Sequence, residues 1–172
     1  MIRSVAAILA ALNSVAPNFP HKEAAAVYVQ RLADEGEFDP YTMLAYVESE
    51  SGWRVDAINR QGGELYLGLG QLRLRNYEAC REDFEAPECL VIVEALQNWR
   101  FNLDQTAQAF VWARGRCREL VGTGALSAWM QTVKGYDKTQ RSTCGRRHGR
   151  PLPVPDAVAK LLKRRAQLAA RF

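Results

Sequence analysis

Two helix-forming stretches lie almost back to back between residues 21 and 52, and their punctuation commits the chain to packing helix on helix. The first, HKEAAAVYVQRLADE, sets Ala25, Val29 and Leu32 on one face and charges on the other, and Gly36 marks its end. The second opens at Asp39-Pro40, with Asp39 as N-cap and Pro40 in the first turn, runs through YTMLAYVESES and stops at Gly52. Further helical patterns cover Leu90–Leu96, Trp99–Arg114 (Phe101, Ala109 and Trp112 inward) and Ala125–Val133. A last helix is expected after a cap at Asp156, with Val158, Leu161, Leu162 and Leu168 inward and Lys160, Lys163, Arg164 and Arg171 outward. Residues 53–70, with Gly62-Gly63, Gly68 and Gly70, form the one stretch where a short strand or hairpin is expected. Residues 137–155 are polar, end in Pro151, Pro153 and Pro155, and read as an irregular crossing segment. The expectation is an all-α domain with at most one small β-hairpin.

At 172 residues without repeats or low-complexity tracts, the chain is expected to form one domain. Its 48% hydrophobic and 24% charged content is that of an ordinary globular protein and argues against disorder. The charge is unevenly placed. Residues 1–137 hold 13 Lys/Arg against 18 Asp/Glu, whereas residues 138–172 hold 10 against one. A basic tail on an acidic body, with a basic helix at about 156–172, suits an anionic partner such as nucleic acid, a membrane surface or acidic wall polymers. A solvated helix face explains it equally well. The chain carries no helix-turn-helix, zinc-finger or RNA-motif signature, so no nucleic acid is expected. No stretch reaches the ~18–20 apolar residues of a membrane span.

Cys80, Cys89, Cys117 and Cys144 include no CxxC pair and no neighbouring histidine, so no metal site is expected. Two disulfides in an exported protein fit better. Cys80–Cys89 with Cys117–Cys144 is the preferred pairing of the three available, the first closing a loop in which Pro87 disfavours regular structure. Four reduced core cysteines are the alternative. The start, MIRSVAAILAALNSVAP, faintly resembles a signal peptide, although an amphipathic first helix reads at least as well. Delivery to the periplasm or cell envelope is expected, with phage delivery as the alternative route.

The chemistry concentrates in Glu50–Gln71. Met43, Val47 and Glu50 stand at i, i+4 and i+7, in line with the apolar stripe of their helix, while Glu48 lies about 200° away. A carboxyl group among apolar side chains holds its proton more readily than one in water and can serve as a general acid. The glycines that follow let backbone approach a ligand closely. A lone glutamate at a helix end is otherwise most often an exposed or capping residue.

The stretch resembles the catalytic core of the soluble lytic transglycosylase family, related in fold to goose-type lysozyme. The residues that carry the resemblance are Asp39-Pro40, Glu50-Ser51, Trp53, Ala57, Gly62-Gly63 and Gly68-Leu69-Gly70-Gln71. The later QNWRFNLDQTAQAF is similar to a family helix that contains an Asn, and the resemblance spans about residues 17–137. Three features depart from the pattern: additional residues Glu64–Leu67, Asn59 in place of a Ser, and Trp129-Met130 where a Tyr-Asn pair is usual, with Tyr136 as a substitute.

The resemblance implies a lysozyme-like fold that cleaves peptidoglycan glycan strands between N-acetylmuramic acid and N-acetylglucosamine, with Glu50 as the single catalytic acid and base and no cofactor. Ser51 is then expected to position Glu50. Asn59, Gly68, Leu69, Gln71, Trp129 and Tyr136 are expected to contact substrate. Trp53 is expected to fix the helix end as a core aromatic more than to stack on a sugar, and Asp56 to serve the loop. His21 and His148 have no assigned role. A hydrolytic lysozyme of phage origin with the same Glu, and a wall-binding module that lost activity, are the rival readings. A secretion-apparatus or phage partner is compatible with either.

Overall fold

The computed structural model describes residues 4–134, 142–147 and 150–172. Seven α-helices stand among these residues: α1 (Val5–Val15), α2 (Lys22–Gly36), α3 (Pro40–Ser51), α4 (Pro87–Gln97), α5 (Trp99–Val121), α6 (Leu126–Val133) and α7 (Asp156–Arg171). A three-stranded antiparallel sheet, β1 (Ile58–Gln61), β2 (Glu64–Leu67) and β3 (Leu72–Arg73), lies between α3 and α4 in the chain. A ribbon of two-residue strands, β4 (Ser142–Thr143), β5 (Arg146–Arg147) and β6 (Arg150–Pro151), precedes α7.

The N-terminal segment forms the amphipathic helix. Ser4 caps α1 by accepting from the Ala7 N–H, and Ile8, Ala11, Leu12 and Val15 repeat at helical spacing into the core. On α2 the buried positions include Ala25, Val29 and Leu32, as the pattern requires. Gly36 is still helical; Glu37, with φ 49°, takes the left-handed cap. Helix α3 is capped as expected, Asp39 accepting from the Tyr41 N–H at 2.8 Å with Pro40 in the first turn and Gly52 at φ 60° closing it. Its surroundings exceed the one-faced expectation. Every residue from Pro40 to Val47 is buried, because α1, α2 and α7 pack around it. A helix covered on all sides is the axis of a helical domain.

The hairpin lies where it was expected. Gly62 and Gly63 at φ 61° and 78° supply the paired positive φ of a two-residue turn, and Asn59 pairs with Tyr66, Ile58 with Leu67. The four residues Glu64–Leu67 are the second strand. Leu65, Leu67, Leu74, Cys80, Cys89 and Leu96 make a second, smaller core beneath the sheet. The Cys80–Cys89 disulfide sits within it, and Cys117–Cys144 joins α5 to the ribbon. Both pairings are those preferred from sequence.

Several expectations are corrected. Pro87 begins α4, since its missing N–H falls among donors that a first turn leaves free in any case. Helix α5 continues beyond Arg114 to Val121, where Gly122 ends it. Trp112 is 61% exposed, since it lies about 200° from Phe110 on a helix whose inner face also carries Asn102, Thr106, Ala113 and Cys117. Phe101 is half-buried against the smaller core and Ala109 is half-buried. Pro155, not Asp156, occupies the cap position of α7, and Arg164 turns inward to an ion pair. Residues 142–151 contain short strands in place of a wholly irregular segment, Pro151 lying in the terminal strand, where no ladder N–H is needed. The chain is therefore mainly helical, with a small antiparallel sheet. Among the described residues no helix is long and apolar enough to cross a membrane.

Candidate active site

Helix α3 ends in Glu48-Ser49-Glu50-Ser51, and its two carboxylates leave on different faces. Glu48 is gripped by Arg164 of α7 through Nε at 2.8 Å and the terminal nitrogen at 2.9 Å. This fork-on-fork arrangement engages both carboxylate oxygens. Glu50 keeps 20% of its side chain exposed and receives a hydrogen bond from the Lys134 ammonium.

Lys134 follows the last residue of α6. Its side chain, 10% exposed, also donates to Ser49 Oγ at 3.3 Å and lies 5.3 Å from the centroid of the Tyr46 ring. Tyr46 is buried one turn before Glu50. Burial above all, and the neighbouring Glu50 charge second, hold its phenol protonated well beyond the usual range. The phenol donates to the Gly70 carbonyl at 3.4 Å and so links the carboxylate's helix to the Gly68–Gln71 turn.

That turn is built against α5. Asn102, wholly buried, accepts from the Gly70 N–H at 2.8 Å and donates to the carbonyls of Leu67 at 3.2 Å and Leu96 at 2.9 Å. A Cβ on Gly68 would stand 2.1 Å from the Asn102 amide nitrogen, and one on Gly70 2.1 Å from Thr106 Oγ1. The close backbone approach anticipated for a ligand is thus made here to the protein's own helix. Gln71, at φ 48°, donates from its amide to the carbonyls of Ala57 at 3.2 Å and Gly68 at 3.0 Å, which closes the turn on itself.

The remaining site residues take varied places. Ser51 is buried and donates to the Val47 carbonyl at 3.3 Å. Asn59 is exposed on β1. Leu69 and Trp129 are core residues, Trp129 packing on Phe110 with ring centroids 5.3 Å apart. Trp53 is a core aromatic against Phe19, with φ 64°. Asp56 is exposed in the loop after α3, and His21 stacks on Trp99 at the start of α2. Tyr136 and His148 lie outside the described residues.

Sequence reasoning missed Tyr46, Asn102 and Lys134. Tyr46 was open to discovery, being four residues before Glu50 on one helix face. Asn102 lies in the Asn-containing helix that carried part of the resemblance. Lys134, 84 residues from Glu50, has no local signal that connects them.

Beside Lys134 and Ser49 a groove of about 350 Å³ runs between α3 and α7, lined also by Glu48, Lys160, Leu161 and Arg164. The arrangement offers one mostly buried carboxylate in contact with an ammonium, and a phenol that stays protonated. Among the described residues no group of three or more His, Cys, Asp or Glu could hold a metal ion. No family model, curated protein or solved structure matches the chain.

Proposed function

We propose that the protein is a lytic transglycosylase that cuts peptidoglycan glycan strands with Glu50 as its one acid and base. The observation that carries this reading is the place of Glu50: partly exposed at the end of the buried axial helix, in contact with Lys134, which lines a groove, and on the same helix as Tyr46, whose phenol reaches the Gly68–Gln71 turn. The carboxylate that lines the groove, Glu48, is occupied by Arg164.

A single carboxyl group suffices when the substrate supplies the rest. Protonated Glu50 gives its proton to the glycosidic oxygen as the bond to C1 of N-acetylmuramic acid breaks. The sugar's own acetamido group stabilises the positive charge at C1, as in substrate-assisted glycosidases. The C6 hydroxyl oxygen then bonds to C1, and its proton returns to Glu50. The products are an anhydro-sugar end and a free N-acetylglucosamine end, and no water is consumed.

A second reading is favoured by one observation. Lys134 already occupies the carboxylate, which suits a wall-binding domain that has lost turnover. Mass spectrometry of soluble products from purified peptidoglycan, with the parent and Glu50→Gln compared, separates the readings. Anhydro-muropeptides from the parent alone support the transglycosylase. Reducing ends in their place would make it a hydrolase. No products from a folded parent would leave the binding domain.

A further inference from the structure

The groove between α3 and α7 has a charge pattern that the cleavage chemistry does not use. Three cations, Lys134, Lys160 and Arg164, line it together with one carboxylate, Glu48, and that carboxylate is spent on Arg164. Lys160 is exposed on α7 and, among the described residues, has no ion-pair partner. Lys134 faces the groove while holding Glu50. The first turn of α7 reaches the groove through Ala157, so the positive end of a 16-residue helix adds to the same field. Ala45 and Leu161 supply an apolar lining between the charges. A neutral sugar gains little from these cations, whereas a sugar bearing an acidic substituent is drawn to Lys160 and to Lys134 beside it in the lining.

We propose that this groove is a subsite for a carboxylate attached to the glycan, and that Lys134 exchanges Glu50 for the ligand's carboxylate when the subsite fills. The inference rests on the glycan-cleaving reading for its ligand class. Lys160 provides the unpaired charge that draws the carboxylate in, and the apolar lining accommodates the carbon chain that carries it. Once Lys134 has turned to the ligand, Glu50 is released from its ion pair and free to reach the glycan. Substrate recognition and readiness for chemistry are then one event. An acidic glycan prepares its own catalyst and a neutral one does not.

Calorimetry with three probes tests this without turnover. The probes are an oligomer of N-acetylglucosamine, the N-acetylglucosamine–N-acetylmuramic acid disaccharide with its free lactyl carboxylate, and that disaccharide with a stem peptide. In the last the lactyl group is an amide and the acids lie on the peptide. The parent is expected to bind at least one acidic probe about fivefold more tightly than the neutral oligomer, the size of one partly exposed ion pair. Preference for the free lactyl probe assigns the subsite to the sugar acid, and preference for the peptide probe assigns it to the peptide acids. Lys160→Gln should abolish the preference, while Lys163→Gln, which removes the same charge outside the groove, should retain it. Glu50→Gln, which leaves Lys134 without its partner, should strengthen binding of the acidic probes relative to the neutral oligomer. Equal affinity of the parent for all three probes, or equal effects of the two lysine variants, overturns the proposal. Acidic binding that obeys these rules in a protein yielding no cleavage products would retain the subsite and sink only the enzyme reading.

Discussion

Replacing Gly68 with Ala, alongside the same change at Gly62, separates what a left-handed backbone costs from what a close approach costs. Both glycines have positive φ, 71° and 61°. At Gly62 a Cβ meets nothing within 4 Å, so only the backbone matters. A left-handed alanine costs about 1–2 kcal/mol, partly offset by about 0.4–1 kcal/mol from the stiffer unfolded chain, so the net loss is about 1 kcal/mol. At Gly68 the Cβ would lie 2.5 Å from the Leu96 carbonyl and 2.1 Å from the Asn102 amide nitrogen. The carbonyl belongs to α4 and cannot swing away. The amide can move only by breaking its bonds to Leu67 and Leu96. Overpacking of about 1–3 kcal/mol and a disturbed buried hydrogen-bond network of about 1–3 kcal/mol, added to the backbone cost, bring the expected total to about 3–7 kcal/mol. Urea denaturation in non-reducing buffer reads this directly. With a slope of about 2 kcal/mol/M, Gly68→Ala should unfold about 1–3 M earlier than Gly62→Ala. Coincident midpoints would refute the argument that Gly68 exists for the packing of the turn on α5.

Other outcomes follow from the same contacts. Asn102→Ala should cost about 3 kcal/mol in the urea midpoint, because the Gly70 N–H and the carbonyls of Leu67 and Leu96 lose their partner in the interior. Removing Cys117–Cys144 by paired serine substitution should cost about 3.5 kcal/mol, and removing Cys80–Cys89 about 2.5 kcal/mol, since the loops they close differ in length; equal losses would count against the chain-entropy account. The Arg73 guanidinium, hydrogen-bonded to Glu64, holds that carboxyl below its ordinary value of 4.5. The stability Glu64 contributes is therefore complete above pH 4.5 and fades as pH falls below it. Parent and Glu64→Gln should differ in urea midpoint at neutral pH and converge in acid.

Much of the scaffold was legible because its signals are local. Asp39-Pro40 and Gly52 bracket α3 within the reach of single hydrogen bonds, and Gly62-Gly63 turns the hairpin through its own backbone angles. The stripe of Ala25, Val29 and Leu32 needs only the helical repeat. Cys80 and Cys89, nine residues apart, need little more than a short loop to meet. Periodicity fails where neighbours decide. It places Trp112 as readily inward as outward, and only the direction from which α2 and α6 meet α5 leaves that indole in solvent.

The candidate site divides along the same line. Sequence by itself determined that Glu50 ends an apolar helix and that a glycine-rich turn follows it, since both depend on residues a few positions apart. Tertiary structure alone decided that α3 is enclosed by its neighbours, that the glycines serve the approach to Asn102 and Thr106, and that Lys134 meets Glu50 across 84 residues. Those contacts depend on how whole helices cross. A side chain's partner then follows from the packing of every element between, and no local pattern carries that information.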